Sequence, residues 1–400
     1  MLGKELLLRK FYLFILAFAL TFSGSTQEDS CSLRVSLLTC TPGTELYSTF
    51  GHSAMRVQDA GSGTDVIFNY GTFEFGPDFY TKFIKGKLLY FLSTENYADF
   101  VSLYAWDKRG IQEQVLLLSC KQKSQLVQAL YRNSEEANKF YRYDFLFDNC
   151  STRLRDITAS SDSGHFQFGK VIPENAPTFR NLIHSYLDAG QQYWSKLGID
   201  VLLGSGMDVK VTNEQAMFLP DYLMKGFAGA TLNGHPVAEP AQVVLQDQDA
   251  GSGNHILHPM VVFGILLLLI SILSFVRHKK VQRFIHFFDV SFFLLLGLIG
   301  VLLVFMWLGT DHMLCRNNWN LLWALPTHAP AAFLLWKKAR WMHFYLLTTI
   351  IIQTILLIGW IFLPQELNIS LLPVVLLVLL RSWLIILQPH SVQHAEANTI

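Results

Sequence analysis

Residues 288–308 read FDVSFFLLLGLIGVLLVFMWL and contain one charged side chain, Asp289. About 20 predominantly apolar residues allow an α-helix to cross the hydrocarbon core of a bilayer, so this segment predicts a membrane-spanning helix. The same half of the chain holds further apolar runs at about Met260–Val276, Leu321–Trp336, His343–Phe362 and Leu371–Leu387. Among these runs, Leu321–Trp336 is the weakest candidate for a helix, because it is short and contains Pro326 and Pro330. The carboxyl-terminal region is therefore predicted to be an α-helical transmembrane bundle of about five helices.

Basic side chains are concentrated in alternate loops of this predicted bundle. After the first and third runs come Arg277, Lys279, Lys280, Arg283, Lys337, Lys338 and Arg340. The other loops hold a single basic residue, Arg316. An excess of Lys and Arg is typical of cytoplasmic loops, so the large amino-terminal domain is predicted to lie on the outer side of the membrane.

The amino terminus has the order of a secretory signal peptide. Lys4, Arg9 and Lys10 precede the apolar run Phe11–Phe22, and the small residues 23–25 follow it. A retained membrane anchor is the alternative, and in both cases the domain after Thr26 is exported. A segment rich in Asp, Gly and Ser, Gln246–Asn254, reads as a linker. The predicted organisation is a signal peptide at 1–25, an exported domain at 26–254 and a multi-pass transmembrane domain at 255–400.

The composition agrees with this division. Only 16% of the 400 residues are charged, with 31 basic and 31 acidic side chains. Soluble domains carry about 25% charged residues. A nucleic-acid-binding protein shows a basic excess, so nucleic acid is not an expected partner. The low charge fraction belongs to the membrane half, where uncharged helices are obligatory.

The exported domain mixes strand and helix patterns, which predicts an α+β fold. Apolar and aromatic patterns predict strands at Leu33–Leu38, Phe50–Val57, Val66–Phe75, Val115–Leu118 and Tyr143–Phe147. The turn Gly61–Gly63 joins the second and third strands as a hairpin. Helices are predicted at Lys121–Phe140, at Cys150–Ile157 after the capping Asn149, and after a capping box at Thr212–Gln215, with Pro220 ending or kinking the last.

The sequence lacks the common metal and nucleotide motifs: HExxH, a paired CxxC, GxSxG and a phosphate loop with lysine. No metal or cofactor is therefore expected, and attention falls on the cysteines. Cys31, Cys40, Cys120 and Cys150 belong to the exported domain, where disulfides persist. Cys150 is thus either a disulfide partner, a buried thiol or a reactive group.

Three features favour a reactive Cys150. A cysteine at a helix amino terminus has a lowered thiol pKa, because of the free N–H groups and the helix dipole. Arg153 and Arg155 add positive potential, unless they are solvated helix charges. His52 lies in a predicted strand among small residues, and a histidine facing a helix-end cysteine is a nucleophile–base pair. The alternative for His52 is a structural histidine. Asn69, on the next strand, is the candidate to orient its imidazole.

The order of His on a strand, a polar residue on the next strand and Asn-Cys at a helix start resembles circularly permuted NlpC/papain-like enzymes, including those similar to lecithin:retinol acyltransferase. Several segments are more specifically similar to the Lnb lipoprotein N-acyltransferases of Bacteroidota. They are residues 46–54 (LYSTFGHSA), 68–73 (FNYGTF), 147–150 (FDNC), 215–223 (QAMFLPDYL) and 320–328 (NLLWALPTH).

This resemblance implies transfer of an acyl chain from a phospholipid to the amino-terminal diacylglyceryl-cysteine of a lipoprotein. It also implies a bacterial inner-membrane protein with its large domain in the periplasm. The expected chemistry is that His52 deprotonates Cys150, whose thiolate takes the acyl chain as a thioester, and that N–H groups at the helix start stabilise the oxyanion.

Two residues of the membrane half are candidates for substrate contact. Asp311 and His312 lie in a predicted outward loop, where they bind substrate headgroups, touch the exported domain or are ordinary loop residues. Arg381 falls within the last predicted helix, where an ionisable side chain is costly, and is expected to extend towards the cytoplasmic surface.

Two other functions stay open. An NlpC-type cysteine peptidase or amidase acting on cell-wall peptides uses the same Cys–His pair, but needs no membrane bundle. A non-enzymatic receptor or scaffold uses the exported domain for binding alone, with Cys150 in a disulfide.

Overall fold

The computed structural model describes residues 31–160, 165–248, 257–337 and 341–387. The predicted signal peptide at 1–25 and most of the predicted linker lie outside these ranges, as do Lys338 and Arg340. The described part of the chain forms a sheet-rich amino-terminal domain followed by a helical region.

The amino-terminal domain is built on a seven-stranded antiparallel sheet with strand order β10-β5-β1-β2-β3-β4-β6. A small second sheet has the order β7-β8-β9. The strands are β1 Leu33–Cys40, β2 His52–Asp59, β3 Thr64–Thr72, β4 Leu89–Asn96, β5 Ile111–Val115, β6 Phe140–Arg142, β7 Phe166–Gln167, β8 Thr231–Leu232, β9 His235–Pro236 and β10 Gln242–Leu245.

Helices surround this sheet. They are α1 Phe79–Ile84, α2 Tyr97–Trp106, α3 Cys120–Ser134, α4 Cys150–Ala159, α5 Phe179–Ala189, α6 Tyr193–Leu202, α7 Asn213–Ala216 and α8 Pro220–Ala228. On one face, Leu126 of α3 and Leu154 of α4 pack with Leu37 of β1. On the other, Phe100 of α2 packs with Leu38. Because β1 is covered on both faces, its sequence is apolar without strict alternation. The predicted α+β class is confirmed.

Most predicted elements of this domain are present. The hairpin of β2 and β3 turns at residues 60–63, and α4 begins at Cys150 as expected. The strand predicted at Tyr143–Phe147 is wrong, because Asp144 pairs with Asp148 across a tight turn and accepts the N–H groups of residues 146 and 147. The strand predicted at Val115–Leu118 instead ends at Val115. The capping box at Thr212 is present, but α7 has four residues and Pro220 starts α8, where a proline needs no N–H partner.

The helical region contains α9 Pro259–Ser274, α10 Lys279–Leu308, α11 His328–Trp336, α12 Met342–Gly359 and α13 Leu372–Leu387. Three stretches of the described chain are long and apolar enough to cross a membrane: Lys279–Leu308, Met342–Phe362 and Ile369–Leu387. The first predicted run forms the shorter apolar helix α9, and the weakest predicted run forms only the nine residues of α11.

Arg381 does not extend to the membrane surface as expected. Its guanidinium donates two hydrogen bonds of 2.7 Å to Asp289 of α10, and Nη1 donates a third of 2.6 Å to Ser274 of α9. Both charged side chains are buried. The expectation is wrong because a carboxylate on a neighbouring helix binds the guanidinium inside the bundle. A pairing between two separate helices cannot be recognised from a local sequence pattern.

A set of hydrogen bonds holds the two regions together. Asp200 of α6 accepts from Asn368 Nδ2 at 2.8 Å, and its backbone oxygen accepts from Asn320 at 2.8 Å. Gly204 packs so closely on the backbone of Arg316 that a Cβ there would overlap its carbonyl oxygen. The segment 200–208 is therefore fixed between two loops of the helical region.

Candidate active site

Cys150 is the first residue of α4, and its position is fixed by Asn149. The Asn149 side chain accepts the N–H of Thr152 at 2.9 Å, and Thr152 Oγ1 accepts the Asn149 N–H at 2.8 Å. The Asn149 amide also donates to the backbone oxygens of Phe145 and Phe218, both at 2.8 Å. The predicted cap is thus present, and the thiol sits among backbone N–H groups that lack helical acceptors.

His52 is the first residue of β2 and lies opposite Cys40 of β1. The preceding Gly51 has φ of 77°, and a Cβ there would lie 2.6 Å from the Cys40 carbonyl oxygen. Only glycine fits this left-handed, closely packed position. Gly51 therefore fixes the backbone from which the His52 side chain extends.

Asn69 of β3 holds the His52 ring, as expected. His52 Nε2 lies 2.6 Å from Asn69 Oδ1, and Asn69 Nδ2 donates to Glu95 of β4 at 3.2 Å. A carboxylate only accepts, so Glu95 orients the amide with its oxygen towards His52. His52 Nε2 therefore carries a hydrogen, which it donates to Asn69 Oδ1. The other ring nitrogen, Nδ1, remains to bond with the Cys150 thiol.

The electrostatics of the pair favour a thiolate. Burial opposes ionisation of Cys150, but the His52 charge, its hydrogen bond and the Ser53 backbone N–H outweigh it and lower the thiol pKa to about 7. Burial likewise lowers the pKa of His52, yet the Cys150 thiolate and the Asn69 hydrogen bond raise it overall. A hydrogen bond of 3.0 Å between Ser53 and Ser151 joins β2 to α4 beside the pair.

The cysteines divide into one disulfide pair and three free thiols. Cys31 and Cys120 form a disulfide, whereas Cys40, Cys150 and Cys315 are free thiols. The disulfide alternative for Cys150 is therefore wrong. Burial raises the pKa of Cys40 to about 12, so this second thiol of the site stays protonated.

Arg153 and Arg155 do not act on the thiol as unpaired charges. Arg153 binds Asp148 at 2.6 Å and stacks 3.6 Å from the Tyr141 ring centroid. Arg155 binds Asp156 at 2.7 Å. Because a carboxylate neutralises each guanidinium, His52 is the main source of positive charge at Cys150.

Asp311 and His312 lie against the exported domain, which is one of the roles expected for them. His312 Nε2 is 2.9 Å from the Phe83 backbone oxygen, and the Asp311 carboxylate is 3.6 Å from Arg142. Contact with a substrate headgroup stays a prediction.

The thiol lies at the end of the sheet that faces the helical bundle. β2 begins at His52 and β3 ends at Thr72, and the chain continues from there into residues 73–88, which contact the loop after α10. A cavity of about 700 Å³ between α5, α6 and residues 360–370 lies elsewhere, since neither Cys150 nor His52 lines it.

Sequence reasoning missed three residues of the site. Glu95 orients Asn69, Ser53 donates its backbone N–H to the thiolate, and Tyr143 packs near Cys150. Glu95 could not be predicted from the sequence, because the register between β3 and β4 depends on pairing across a long connection. For Ser53, its place next to His52 was the available signal.

Alkylation of Cys150 by iodoacetamide is expected to rise with pH around a midpoint of about 7, because the thiolate reacts and is lost as pH falls through its pKa. In His52→Gln the midpoint is expected to rise, since the two largest effects that oppose burial, the His52 charge and its hydrogen bond, are lost while the Ser53 and Ser151 hydrogen bonds remain. Mass spectrometry of the Cys150 peptide measures both profiles, with Cys40 as an unreactive internal control. Equal midpoints in the two proteins would show that His52 does not activate the thiol.

Two family models match separate parts of the chain. A family model described as the Lnb N-terminal periplasmic domain matches residues 25–185, and a model described as the Lnb transmembrane domain matches residues 251–391. No match was found among curated proteins or among solved structures. The two matches follow the same order as the sheet-rich and helical regions. The chain therefore belongs to the Lnb family, as a membrane protein with a periplasmic amino-terminal domain and a transmembrane carboxyl-terminal domain.

Proposed function

We propose that the protein is a lipoprotein N-acyltransferase that uses a phospholipid as acyl donor and a diacylated lipoprotein as acceptor. The observation that carries this proposal is the Cys150–His52–Asn69 arrangement at the end of the sheet facing the transmembrane bundle. A thiolate with pKa near neutrality suits acyl transfer. Membership of the Lnb family adds support, since it suggests a role in lipoprotein maturation.

In the first half-reaction, the Cys150 thiolate attacks a phospholipid ester carbonyl. The S–C bond forms, the C–O bond of the ester breaks, and the His52 imidazolium gives its proton to the leaving glycerol oxygen. Backbone N–H groups at the start of α4 stabilise the oxyanion of the tetrahedral intermediate. The products are an acyl thioester on Cys150 and a lysophospholipid.

In the second half-reaction, the α-amine of the lipoprotein's diacylglyceryl-cysteine attacks the thioester. The N–C bond forms, the C–S bond breaks, and neutral His52 accepts the amine proton. This step restores the thiolate–imidazolium pair. Asn69 remains hydrogen-bonded to His52 Nε2 during both half-reactions. His52 Nδ1 is therefore the atom that gives and accepts the proton in each of them.

The membrane helices hold both lipid substrates near this site. We place the helical region, α9 to α13, in the bacterial inner membrane, with the basic loops after α9 and α11 on its cytoplasmic side. The helices α9 and α11 are shorter than a typical span, so they fit best as packed members of the bundle.

Purified protein in phospholipid nanodiscs, mixed with a synthetic diacylated lipopeptide, tests the proposal by mass spectrometry. The expected products are the N-acylated lipopeptide, one lysophospholipid per transfer and an acyl thioester on Cys150. Cleavage of cell-wall peptides without acyl transfer would support the peptidase alternative instead. A protein that modifies neither substrate would support the receptor or scaffold alternative.

Asn69→Ala is expected to reduce the acyl-transfer rate by about 10- to 100-fold. A hydrogen bond to a charged group contributes ~1.5–3 kcal/mol, and each 1.4 kcal/mol corresponds to a factor of about ten. Asn69→Asp combined with Glu95→Gln keeps an acceptor oxygen for His52 and a hydrogen bond between positions 69 and 95, and is expected to retain more activity than Asn69→Ala. Initial rates of lipopeptide acylation measure both variants, and equal rates for Asn69→Ala and the parent protein would exclude the orienting role.

A further inference from the structure

The connection between β3 and β4, together with the first residue of β4, leaves large apolar side chains in solvent across residues 73–89. Phe75 is 74% exposed and Tyr80 is 72% exposed, and about half of Phe83, Ile84 and Leu89 is exposed. A contiguous apolar patch of this kind marks a surface that binds a partner. We call residues 73–89 the aromatic segment.

The aromatic segment is bound to the loop at the carboxyl-terminal end of α10, a helix long and apolar enough to cross a membrane. His312 binds the Phe83 carbonyl oxygen at 2.9 Å, and the Asp311 N–H donates to the Lys85 carbonyl oxygen at 3.0 Å. Both residues follow directly after α10, whose 30 residues extend about 45 Å at 1.5 Å per residue. This length covers the hydrocarbon core and reaches the headgroup region, so the aromatic segment is held beside the lipid headgroups.

The aromatic segment contains three lysines and two acidic residues, Glu74 and Asp78, which leaves it with one net positive charge. Lys82, Lys85 and Lys87 are exposed, and Lys82 lies 3.9 Å from Asp78. Among the described residues, Lys85 and Lys87 form no ion pair. Aromatic side chains next to lysines are typical of elements that insert into the interface and bind phosphate groups.

A continuous series of rings leads from this surface to the thiol. The centroid distances are 6.0 Å for Phe83–Phe79, 5.7 Å for Phe79–Phe73, 5.3 Å for Phe73–Tyr90 and 4.3 Å for Tyr90–Tyr143. Gly71 lies between the last ring and the nucleophile, since a Cβ there would be 3.8 Å from Tyr143 and 3.9 Å from Cys150. Because Gly71 has no side chain, only its backbone separates the Tyr143 ring from Cys150.

We propose that the aromatic segment inserts into the outer leaflet and that a phospholipid acyl chain lies along this ring series, which brings its ester to Cys150. Membrane insertion stands on its own, whereas delivery of the ester to the thiol rests on the proposed acyltransferase function. The lysines bind the phosphate of the same lipid, so the segment recognises the chain and the headgroup together.

Photo-crosslinking in nanodiscs tests insertion. Benzoylphenylalanine replaces Tyr80 in the full-length chain, and the nanodiscs contain a phospholipid with an alkyne at its tail. The matched control places the probe at Ser62, in the turn at the other end of β3, about 30 Å from Thr72 for nine residues of strand. Lipid attachment is expected at position 80 and not at 62. Equal attachment at both positions, or none at 80, overturns the proposal.

A second experiment separates this inference from the proposed function. Phe79→Asp/Phe83→Asp is expected to slow thioester formation from bilayer phospholipid by about tenfold or more, because the charges oppose insertion. Acylation of Cys150 by water-soluble p-nitrophenyl acetate is expected to stay within about twofold, since this ester needs no membrane.

If the double variant slows acylation equally with phospholipid and with p-nitrophenyl acetate, the proposed role of the ring series is overturned. The same conclusion follows if it slows acylation with neither donor. Crosslinking at position 80 is measured again in Cys150→Ser, where it is expected to persist. If the parent protein forms no thioester with either donor while crosslinking persists, the acyltransferase proposal fails and membrane insertion stands.

Discussion

Cys150→Ser is expected to abolish both the acyl thioester and lipopeptide acylation. The hydroxyl of serine has a far higher pKa than a thiol, so His52 no longer holds an ionised nucleophile. Removal of a catalytic nucleophile reduces turnover on the order of 10⁴-fold or more, as mutant enzymes of this type show. Intact-mass measurement after incubation with phospholipid detects the thioester, and product analysis measures acyl transfer.

The matched control is Cys315→Ser, since Cys315 is also a free, buried thiol but lies in the loop after α10. This variant is expected to retain the thioester and the acylated product. A thioester that forms in Cys150→Ser, or that disappears only in Cys315→Ser, would assign the nucleophile elsewhere.

Arg180→Leu is expected to cause the largest loss of stability in the periplasmic domain. The guanidinium is buried and binds Asp200 at 2.7 Å and Asp208 at 2.9 Å. Removing one partner of a buried ion pair leaves an uncompensated charge and costs about 3–5 kcal/mol of unfolding free energy. Because Asp200 also accepts from Asn368, contact with the helical region weakens too.

Thermal unfolding in detergent, followed by fluorimetry, measures this effect as a decrease in melting temperature on the order of 10 °C. The control is Lys196→Ala, which removes the more exposed pair with Asp188 and is expected to cost less than about 1 kcal/mol. Similar melting temperatures for the two variants would contradict the importance of the buried network.

Much of the architecture could be predicted because it depends on local patterns. The apolar stretch 288–308 predicted a membrane helix, which α10 confirms. Asn149 before Cys150 predicted the helix start, since a cap needs only a side chain and the N–H groups of the next turn. The β2–β3 hairpin likewise followed from alternating apolar residues around a glycine-rich turn.

The wrong predictions have two causes, which are contacts between residues distant in sequence and local turns that were not recognised. Tyr143–Phe147 has strand composition, but Asp144 accepts backbone N–H groups and turns the chain. Arg381 was expected to reach the membrane surface, yet Asp289 on another helix binds it inside the bundle. Asp289 is 92 residues from Arg381 and lies outside any local window, whereas Asp144 lies within the predicted strand and was a turn signal that the apolar pattern outweighed.

Local sequence patterns were enough to predict the division into an exported and a transmembrane region and the position of Cys150 at a helix start. The three-dimensional fold was needed to show that Cys150 is a free thiol, that Glu95 orients Asn69 and that the aromatic segment lies beside the membrane bundle. Capping and hydrophobic burial act on neighbouring residues of one element, so composition and spacing reveal them. The approach of His52 to Cys150 depends on strand register and on how α4 packs against β2, which are set by the fold as a whole.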